Sequence, residues 1–462
     1  MHMEHSRRRY AWLQWGFKLL PFTDAVSADL PLSRLLRLSL FQVSVGMALV
    51  LLVGTLNRVM IVELGVPTSL VAVMVGMPLL FAPFRALVGF RSDHHRSHLG
   101  WRRVPYIWMG TLLQFGGFAI MPFALLVLAG WGQSQQAPMW VGQAATAIAF
   151  LLVGAGLNTT QTAGLALATD LTTPDKQANV VGFMYVMMLV GMVGSALLFG
   201  DLLTDFSPAR LVQVVQAAAL ITLVLNTVAM WKQESRSRER KPGQGQDPSF
   251  LQAWQLFTQD AEAVRRLWVV ALGTLAFSME DVLLEPYGGE ILKLSVASTT
   301  QLTATLAMGS LIGFACASRW LSRGADPFRM AALGCLCGLP AFMLVMGAAM
   351  SSHASMWFSI GTFLIGLGAG LFGHGTLTAT MNRASKEQAG LAMGAWGAAQ
   401  ATSAGLAMAL GGILRDLVAS FSTAWTGYCF VYSIEWVLLL ATLWAMRPLL
   451  RTTAIRQQAS SL

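Results

Sequence analysis

Charge is scarce in this chain of 462 residues: Asp, Glu, Lys and Arg make up 11% of it, whereas hydrophobic residues make up 55%. Soluble domains carry charge at about a quarter of their positions, so this scarcity excludes an ordinary soluble protein. Together with a mean hydropathy of +0.58, it indicates a polytopic membrane protein. The net charge of +9 does not indicate nucleic-acid binding, because the bases flank apolar runs rather than forming one patch.

Cysteine is also rare, and several catalytic motifs are missing. The 4 cysteines all fall in apolar segments without a CxxC pair, which predicts small core residues rather than metal ligands or disulfides. There is no phosphate loop, nucleophile elbow or zinc spacing, so nothing in the sequence indicates an enzyme. A cleavable signal peptide is not expected, because the basic start is followed by Pro, Asp and Ser before any long apolar run.

Long apolar runs dominate the rest of the chain. Each has about the 20 residues that a helix needs to cross a bilayer, so the sequence predicts an all-α membrane protein with twelve transmembrane helices. The predicted spans are 38–60, 68–90, 104–130, 139–168, 178–200, 210–231, 266–284, 298–320, 327–350, 355–381, 388–414 and 424–446.

The basic residues orient these spans. An even number of spans puts both termini on one side, and every Lys and Arg falls on that side except Arg58, Arg210, Lys293 and Arg415. By the positive-inside rule that side is the cytoplasm. The predicted organisation is a cytoplasmic N-terminal segment with an interfacial helix at 10–22, two six-helix halves, a flexible cytoplasmic linker and a cytoplasmic tail. Their boundaries are 1–37, 38–231, 232–265, 266–447 and 448–462.

An internal repeat supports the division into halves. Ala168-Thr169, Gln177-Ala178, Gly194 and Gly200 recur at one constant spacing as Ala379-Thr380, Gln388-Ala389, Gly405 and Gly411. Two six-helix halves in parallel duplication are typical of the major facilitator fold.

A charged hairpin between the second and third runs carries a second signal. Its order, with Gly89 and Asp93 followed by Gly100 and then Arg102-Arg103, resembles the loop between helices 2 and 3 of major facilitator transporters. In that superfamily the Asp and the Arg pair help to latch the cytoplasmic gate. The resemblance therefore implies a gating role for Asp93, Arg102 and Arg103, although the spacing from the Asp to the second Gly is longer here.

The seventh run concentrates ionisable residues, which are costly inside a bilayer and mark functional sites. These acids are Glu280, Asp281, Glu285 and Glu290. Pro286 and Gly288-Gly289 are expected to break the helix, and broken backbone is tolerated only against protein or a wet cavity. Glu280, Asp281 and Glu285 are therefore candidates for a ligand or partner site at the outer half of the central cleft. The alternative is that the helix ends near Leu284, which would put the last two acids in water.

Polar residues in the first and fourth runs are predicted to line the same cleft. They are Asn57, Arg58, Asn158 and Gln161. Arg58 either extends outward to the interface or pairs with an acid of the seventh run, the pseudo-symmetric counterpart of the first.

His374 is the one histidine inside a predicted span, and it lies in the glycine-rich segment Gly366–Gly375. Glycines on a membrane helix usually permit close helix packing. The competing hypothesis is that a flat macrocycle lies on the bare glycine face, with the neutral imidazole as ligand of its magnesium.

Several long strings resemble one family in particular, the PucC/LhaA family of purple phototrophic bacteria, the bacteriochlorophyll delivery branch of the major facilitator superfamily. The strings are 31–47, 54–66, 83–93, 100–108 and 281–289. The resemblance implies a role in assembling light-harvesting antenna complexes in the photosynthetic inner membrane, by delivering bacteriochlorophyll to antenna polypeptides or by shielding them. It implies antenna polypeptides, bacteriochlorophyll or its synthesis enzymes, and membrane lipid as partners, with pigment bound in transit and no metal site of the protein's own.

The competing class is a secondary transporter of a small solute, with Glu280 or Asp281 as the coupling carboxylate. Two features of many proton-coupled exporters are missing, however. The fourth run has no arginine, and the fifth has no Gly-Pro followed by glycines.

Overall fold

The computed structural model describes residues 30–80, 88, 92, 101–128, 138–173, 177–234, 259–321, 323–383 and 389–460. Only the backbone is described for 79–80, 177–179, 383, 389–394 and 451–460. The predicted interfacial helix at 10–22, Asp93 and most of the predicted linker lie outside these ranges.

Twelve helices run through the described residues, which confirms the number predicted from the apolar runs. They are α1 Leu32–Glu63, α2 Thr68–Leu80, α3 Val104–Leu128, α4 Met139–Asp170, α5 Gln177–Leu202, α6 Pro208–Met230, α7 Ala261–Glu290, α8 Val296–Leu321, α9 Pro327–Ala348, α10 Ala354–Arg383, α11 Ala389–Phe421 and α12 Ala424–Ser460.

All of these helices except α2 are long and apolar enough to cross a membrane. In α2 the described apolar part, Thr68–Pro78, is shorter, and the residues that follow Leu80 are not described. The chain is therefore a multi-pass membrane protein, as its composition indicates.

Local signals fix several helix ends. Pro31, whose φ of −64° suits a helix start, directly precedes α1. Asp326 caps α9 by accepting the Arg329 N–H at 2.9 Å, with Pro327 at the first helical position. Gly65, with a φ of 65°, follows the end of α1 in the left-handed conformation that favours glycine.

The two sets of six helices pack in the same pattern. In the first set α3 packs on α4, and α1 packs on α5 and α6; in the second set α9 packs on α10, and α7 packs on α11 and α12. The sets meet where α2 packs on α11, where α5 packs on α8, and where α1 contacts α7.

Glycines allow the α2–α11 contact to be close. A Cβ built on Gly76 would lie 2.8 Å from the Gly405 carbonyl oxygen, and one on Gly412 would lie 2.8 Å from the Thr68 carbonyl oxygen. Small residues at such positions let helix backbones approach in a membrane, where the hydrophobic effect does not drive helices together. The close approach of α2 and α11 therefore requires glycine, which has no side chain, at these positions.

Two helices at the centre depart from regular α geometry. In α1 the segments Val50–Leu56 and Val59–Glu63 are wound as π-helix, and α7 is interrupted at Met279. Such irregular turns are frequent at functional sites. Both lie in the helices that line the central cavity.

Candidate functional site

A cavity of about 380 Å³ lies between the two sets of helices. Its wall is mostly apolar and comes from α1, α5, α7, α8, α10 and α11. The polar residues of the wall belong mainly to α7 and α8: Thr274, Ser278, Glu280, Asp281, Glu285, Thr303, Ser310 and Gln400. The cavity thus has the apolar surface and the few polar groups typical of small-molecule sites.

The three predicted acids of α7 meet in this wall, but the helix does not break where the sequence predicted. Its interruption is at Met279, and the helix then continues through Pro286 to Glu290. The expected break at Pro286 is therefore wrong, and so is the alternative that the helix ends near Leu284. Glu285 is 3% exposed and lies deep in the protein rather than in water.

The reason that Pro286 is tolerated lies in α1. Proline has no N–H, so the Val282 carbonyl, four residues earlier, lacks its helical donor. The Asn57 side-chain amide donates to this carbonyl at 2.7 Å, and Asn57 is fully buried. The freed backbone group is thus satisfied by the partner helix, and α7 stays helical.

Arg58 does not pair with an acid of α7, contrary to one of the two hypotheses from the sequence. Its NH1 lies 2.5 Å from Glu63 Oε1 in its own helix, because the wide π turn brings residues five apart onto one face. Its NH2 donates to the Leu294 carbonyl at 3.1 Å. A Cβ on Gly289 would lie 3.0 Å from Arg58 Nε, so this glycine leaves space for the guanidinium and does not break α7.

Glu285 reaches α8 and α1. It accepts a hydrogen bond from the Thr303 hydroxyl, and Gly54 of α1 faces the same pair: a Cβ there would lie 2.9 Å from Thr303 Oγ1. Glu285 Oε2 is buried and has no hydrogen-bond partner among the described residues. The cavity wall therefore contains a carboxyl oxygen that the protein leaves unsatisfied.

Glu435 of α12 is a functional candidate that the sequence reasoning missed. It is fully buried, and its Oε1 accepts the Glu280 N–H at 2.7 Å beside the interruption of α7. Its Oε2, like Glu280 Oε2, has no partner among the described residues. Glu435 is an acid within the twelfth apolar run, so the rule that singled out the α7 acids would also have found it.

The predicted cleft residues of α4 lie beside the cavity rather than in its wall. Asn158 donates to the Pro78 carbonyl at 3.1 Å and so joins α4 to α2. Gln161 contacts Gln42 Oε1 at 3.4 Å and Met188 Sδ at 3.5 Å, and Met188 does line the cavity. Both residues thus form their hydrogen bonds with other helices of the first set.

Most of the glycines around His374 pack against other helices, which supports the packing hypothesis for those positions. A Cβ on Gly368 would lie 2.6 Å from the Gly334 carbonyl oxygen of α9, and Gly366 and Gly370 face the backbone of α8. Gly373 differs from them, because a Cβ built on it would have no atom within 4 Å and the residue lines the central cavity, so an open patch remains beside His374. The His374 ring lies 4.0 Å from the Phe314 ring, and its Nδ1 is buried without a hydrogen-bond partner among the described residues.

At the bundle end where α3 begins, the predicted gating arginines converge on an acid that the sequence reasoning did not single out. Arg103 Nε and Arg102 NH2 lie 3.0 and 3.2 Å from Asp170 Oδ2 at the end of α4. Arg103 also donates to the Ser92 hydroxyl at 2.6 Å. The Glu234 carboxylate accepts the backbone N–H groups that open α3. The two arginines therefore connect the start of α3 to the end of α4 through Asp170.

A second polar network lies at the opposite end of the bundle, where α7 ends, and joins the two sets of six helices. Arg415 of α11 contacts Glu290 of α7, to which the Tyr428 hydroxyl also donates at 2.8 Å. Arg415 NH1 lies 2.9 Å from Asp416 Oδ1, and Asp416 Oδ2 accepts the Ser69 N–H of α2 at 2.6 Å. Glu290 is thus held by a partner rather than standing free in water.

This arrangement of helices around a central cavity is that of a major facilitator protein. The crystal structure of the D-xylose-proton symporter superposes with a TM-score of 0.69 over 89% of this chain and 96% of that chain, at 13% sequence identity. This likeness shows the fold predicted from the internal repeat.

The sequence comparisons give the family. The family model described as PUCC protein matches residues 55–454. Protein PucC of Rhodovulum sulfidophilum is 62% identical over 87% of this chain and 89% of its own length. Protein PucC of Rhodobacter capsulatus is 56% identical over 94% of this chain and 96% of its own length. The chain therefore belongs to the PUCC protein family.

Proposed function

We propose that this protein assists the assembly of light-harvesting antenna complexes in the photosynthetic membrane. In this role it holds bacteriochlorophyll in the central cavity and passes it to antenna polypeptides, or shields those polypeptides until they have pigment. It acts as a carrier or chaperone and performs no chemistry on the pigment. Membership of the PUCC family and the cavity between the two helix sets support this proposal.

The observation that carries the proposal is the pairing of an apolar wall with unsatisfied carboxyl oxygens. Bacteriochlorophyll is an apolar macrocycle with a hydrocarbon tail and a few carbonyl oxygens. Glu285 Oε2 has no partner among the described residues, and a buried polar atom without a partner costs about 1–3 kcal/mol. A protonated carboxyl can donate to a pigment carbonyl, so such a cargo would satisfy it.

The test is the pigment content of the purified full-length chain. We expect that protein from a phototrophic host, extracted in mild detergent, absorbs as bacteriochlorophyll. Glu285→Leu, which removes the donor, should lower pigment per protein without lowering membrane abundance. Glu285→Gln should lose less, because its amide can still donate to a pigment carbonyl. Gln114→Leu is the matched control, because Gln114 is a fully buried polar residue of α3 that does not line the cavity. Equal pigment in wild type and Glu285→Leu would refute the role of Glu285.

A secondary transporter of a small solute is the second candidate. The fold of a proton symporter and acids in the cavity wall favour it. A colourless preparation that binds a solute, without copurifying antenna polypeptides, would support transport and contradict the assembly role.

A further inference from the structure

A groove on the outside of the bundle, between the start of α7 and the end of α12, has a volume of about 500 Å³ and is separate from the central cavity. Its wall contains two arginines and two tryptophans: Arg265 and Trp268 on α7, and Arg447 and Trp444 on α12. We propose that this groove binds one anionic phospholipid through its phosphate group. The inference does not depend on the proposed function.

The charge of the groove is unbalanced. No acid is among the described residues that line it, and neither arginine forms an ion pair with a residue that the structure describes. The acids at the start of α7 pair with Arg266, the residue after Arg265. Its NH2 lies 3.5 Å from Asp260 Oδ2, and its NH1 lies 3.7 Å from Glu262 Oε1. The groove thus presents two positive charges to a ligand.

The order of residues along both helices matches the depth profile of a phospholipid. Trp268 and Trp444 are 62% and 69% exposed, and exposed tryptophans mark the membrane–water interface. Arg265 precedes Trp268 on a helix that enters the bundle, and Arg447 follows Trp444 on a helix that leaves it. Each arginine therefore lies about 4.5 Å further from the bundle centre than its tryptophan. A phosphate at the arginines would place the acyl chains beside the indole rings.

The same order argues against a zwitterionic lipid. In phosphatidylcholine the positive group extends outward from the phosphate, toward the side where the arginines lie. Guanidinium groups bind phosphate through paired N–H donors, and a second cation beside them would be repelled. A lipid with a neutral or absent outer group, such as phosphatidylglycerol, is the better match.

The corresponding groove of the first helix set does not present two unpaired positive charges. It is lined by Arg34, Trp231 and Lys232, but also by Glu234. Arg34 donates to the Gln233 side chain at 3.1 Å and to its carbonyl at 2.6 Å. Its guanidinium is thus engaged within the protein, which leaves the α7–α12 groove as the stronger phosphate site.

The experiment is native mass spectrometry of the purified full-length chain during titration with phosphatidylglycerol. We expect one tightly retained lipid, and we expect the Arg265→Gln/Arg447→Gln variant to bind it roughly thirtyfold more weakly, because each base near an anionic lipid contributes about 1 kcal/mol. Both arginines are exposed, so this variant should fold normally. The matched control is Arg210→Gln/Lys293→Gln, which removes two charges at the opposite end and should bind as wild type.

Two further arms separate the sources of phosphate. Phosphatidylcholine should bind equally to the wild type and to the groove variant, because it does not depend on the arginines. Glycerol 3-phosphate at millimolar concentration should not displace the lipid; displacement would indicate a site for soluble phosphates and overturn the assignment to lipid. Equal loss in the groove and control variants would show diffuse electrostatic attraction and would overturn the site itself.

Discussion

Replacing Asn57 by Ala should weaken the contact between α1 and α7, for a reason that lies in Pro286. The Val282 carbonyl has no helical donor because Pro286 has no N–H, and the Asn57 amide is its donor at 2.7 Å. Without that amide the carbonyl is unsatisfied in a fully buried position.

The magnitude follows from two opposing effects. An unsatisfied buried acceptor costs about 1–3 kcal/mol. Asn57 Oδ1 is itself buried without a partner among the described residues, so its removal recovers part of this loss. We therefore expect Asn57→Ala to lower the free energy of unfolding by about 1–2 kcal/mol.

A second substitution tests the cause. Pro286→Ala restores an N–H that can donate to the Val282 carbonyl, so it should rescue most of the stability lost in Asn57→Ala. Chemical denaturation and thermal unfolding in one detergent would compare the wild type, both single variants and the double variant. Asn226→Ala is the control: Asn226 is buried and bonded to Ser44 and Thr111, so Pro286→Ala should not rescue it. If Pro286→Ala rescues neither variant, Asn57 acts through packing and the reasoning is wrong.

Three other predictions concern topology, gating and pigment. Reporter fusions after Leu462 and within residues 236–246 should both report the cytoplasm, and a periplasmic signal from either would contradict the orientation. Asp170→Asn removes the acid that Arg102 and Arg103, the predicted gating pair, share. Because this acid is partly exposed, the change should cost about 1 kcal/mol or less in stability. It should lower antenna assembly while the protein still inserts, as should Asp93→Asn. His374→Phe should lower pigment per protein at unchanged membrane abundance, and His374→Asn should lose less, because its oxygen can still reach magnesium. A fall in abundance together with pigment would instead indicate a packing histidine.

The fold was largely predictable because its signals are local. Apolar runs of membrane length gave the twelve helices, and the recurrence of Ala168-Thr169 as Ala379-Thr380 indicated two similar sets. Glu280 and Asp281 were found for the same reason, since both lie in the seventh apolar run, and Glu285 follows that run directly. Glu435 satisfies that criterion as well, and it was missed only because the criterion was not applied to the twelfth run.

Contacts between helices were not predictable in this way. Pro286 and the glycines after it are helix breakers by their intrinsic preferences, yet in the structure α7 continues through them. The outcome depends on Asn57 and Arg58, which lie more than 200 positions earlier, and on how α1 meets α7. The π turns that pair Arg58 with Glu63 have no signature in the apolar pattern either.

The contact between α1 and α7 is reciprocal, and this has a consequence for movement. Each helix offers a gap that the other fills with a polar group: Pro286 frees a carbonyl for Asn57, Gly289 leaves space for Arg58, and Gly54 leaves space for Glu285. The hydrogen bond from Asn57 to the Val282 carbonyl, and the packing of Arg58 and Glu285 against glycine backbone, exist only while α1 and α7 are in contact. Separation of α1 from α7 would expose a carbonyl, a guanidinium and a carboxyl at once, each costly in an apolar environment. Opening of the cavity at this end therefore requires water or a polar cargo to replace the lost contacts, and an apolar cargo alone would keep it closed.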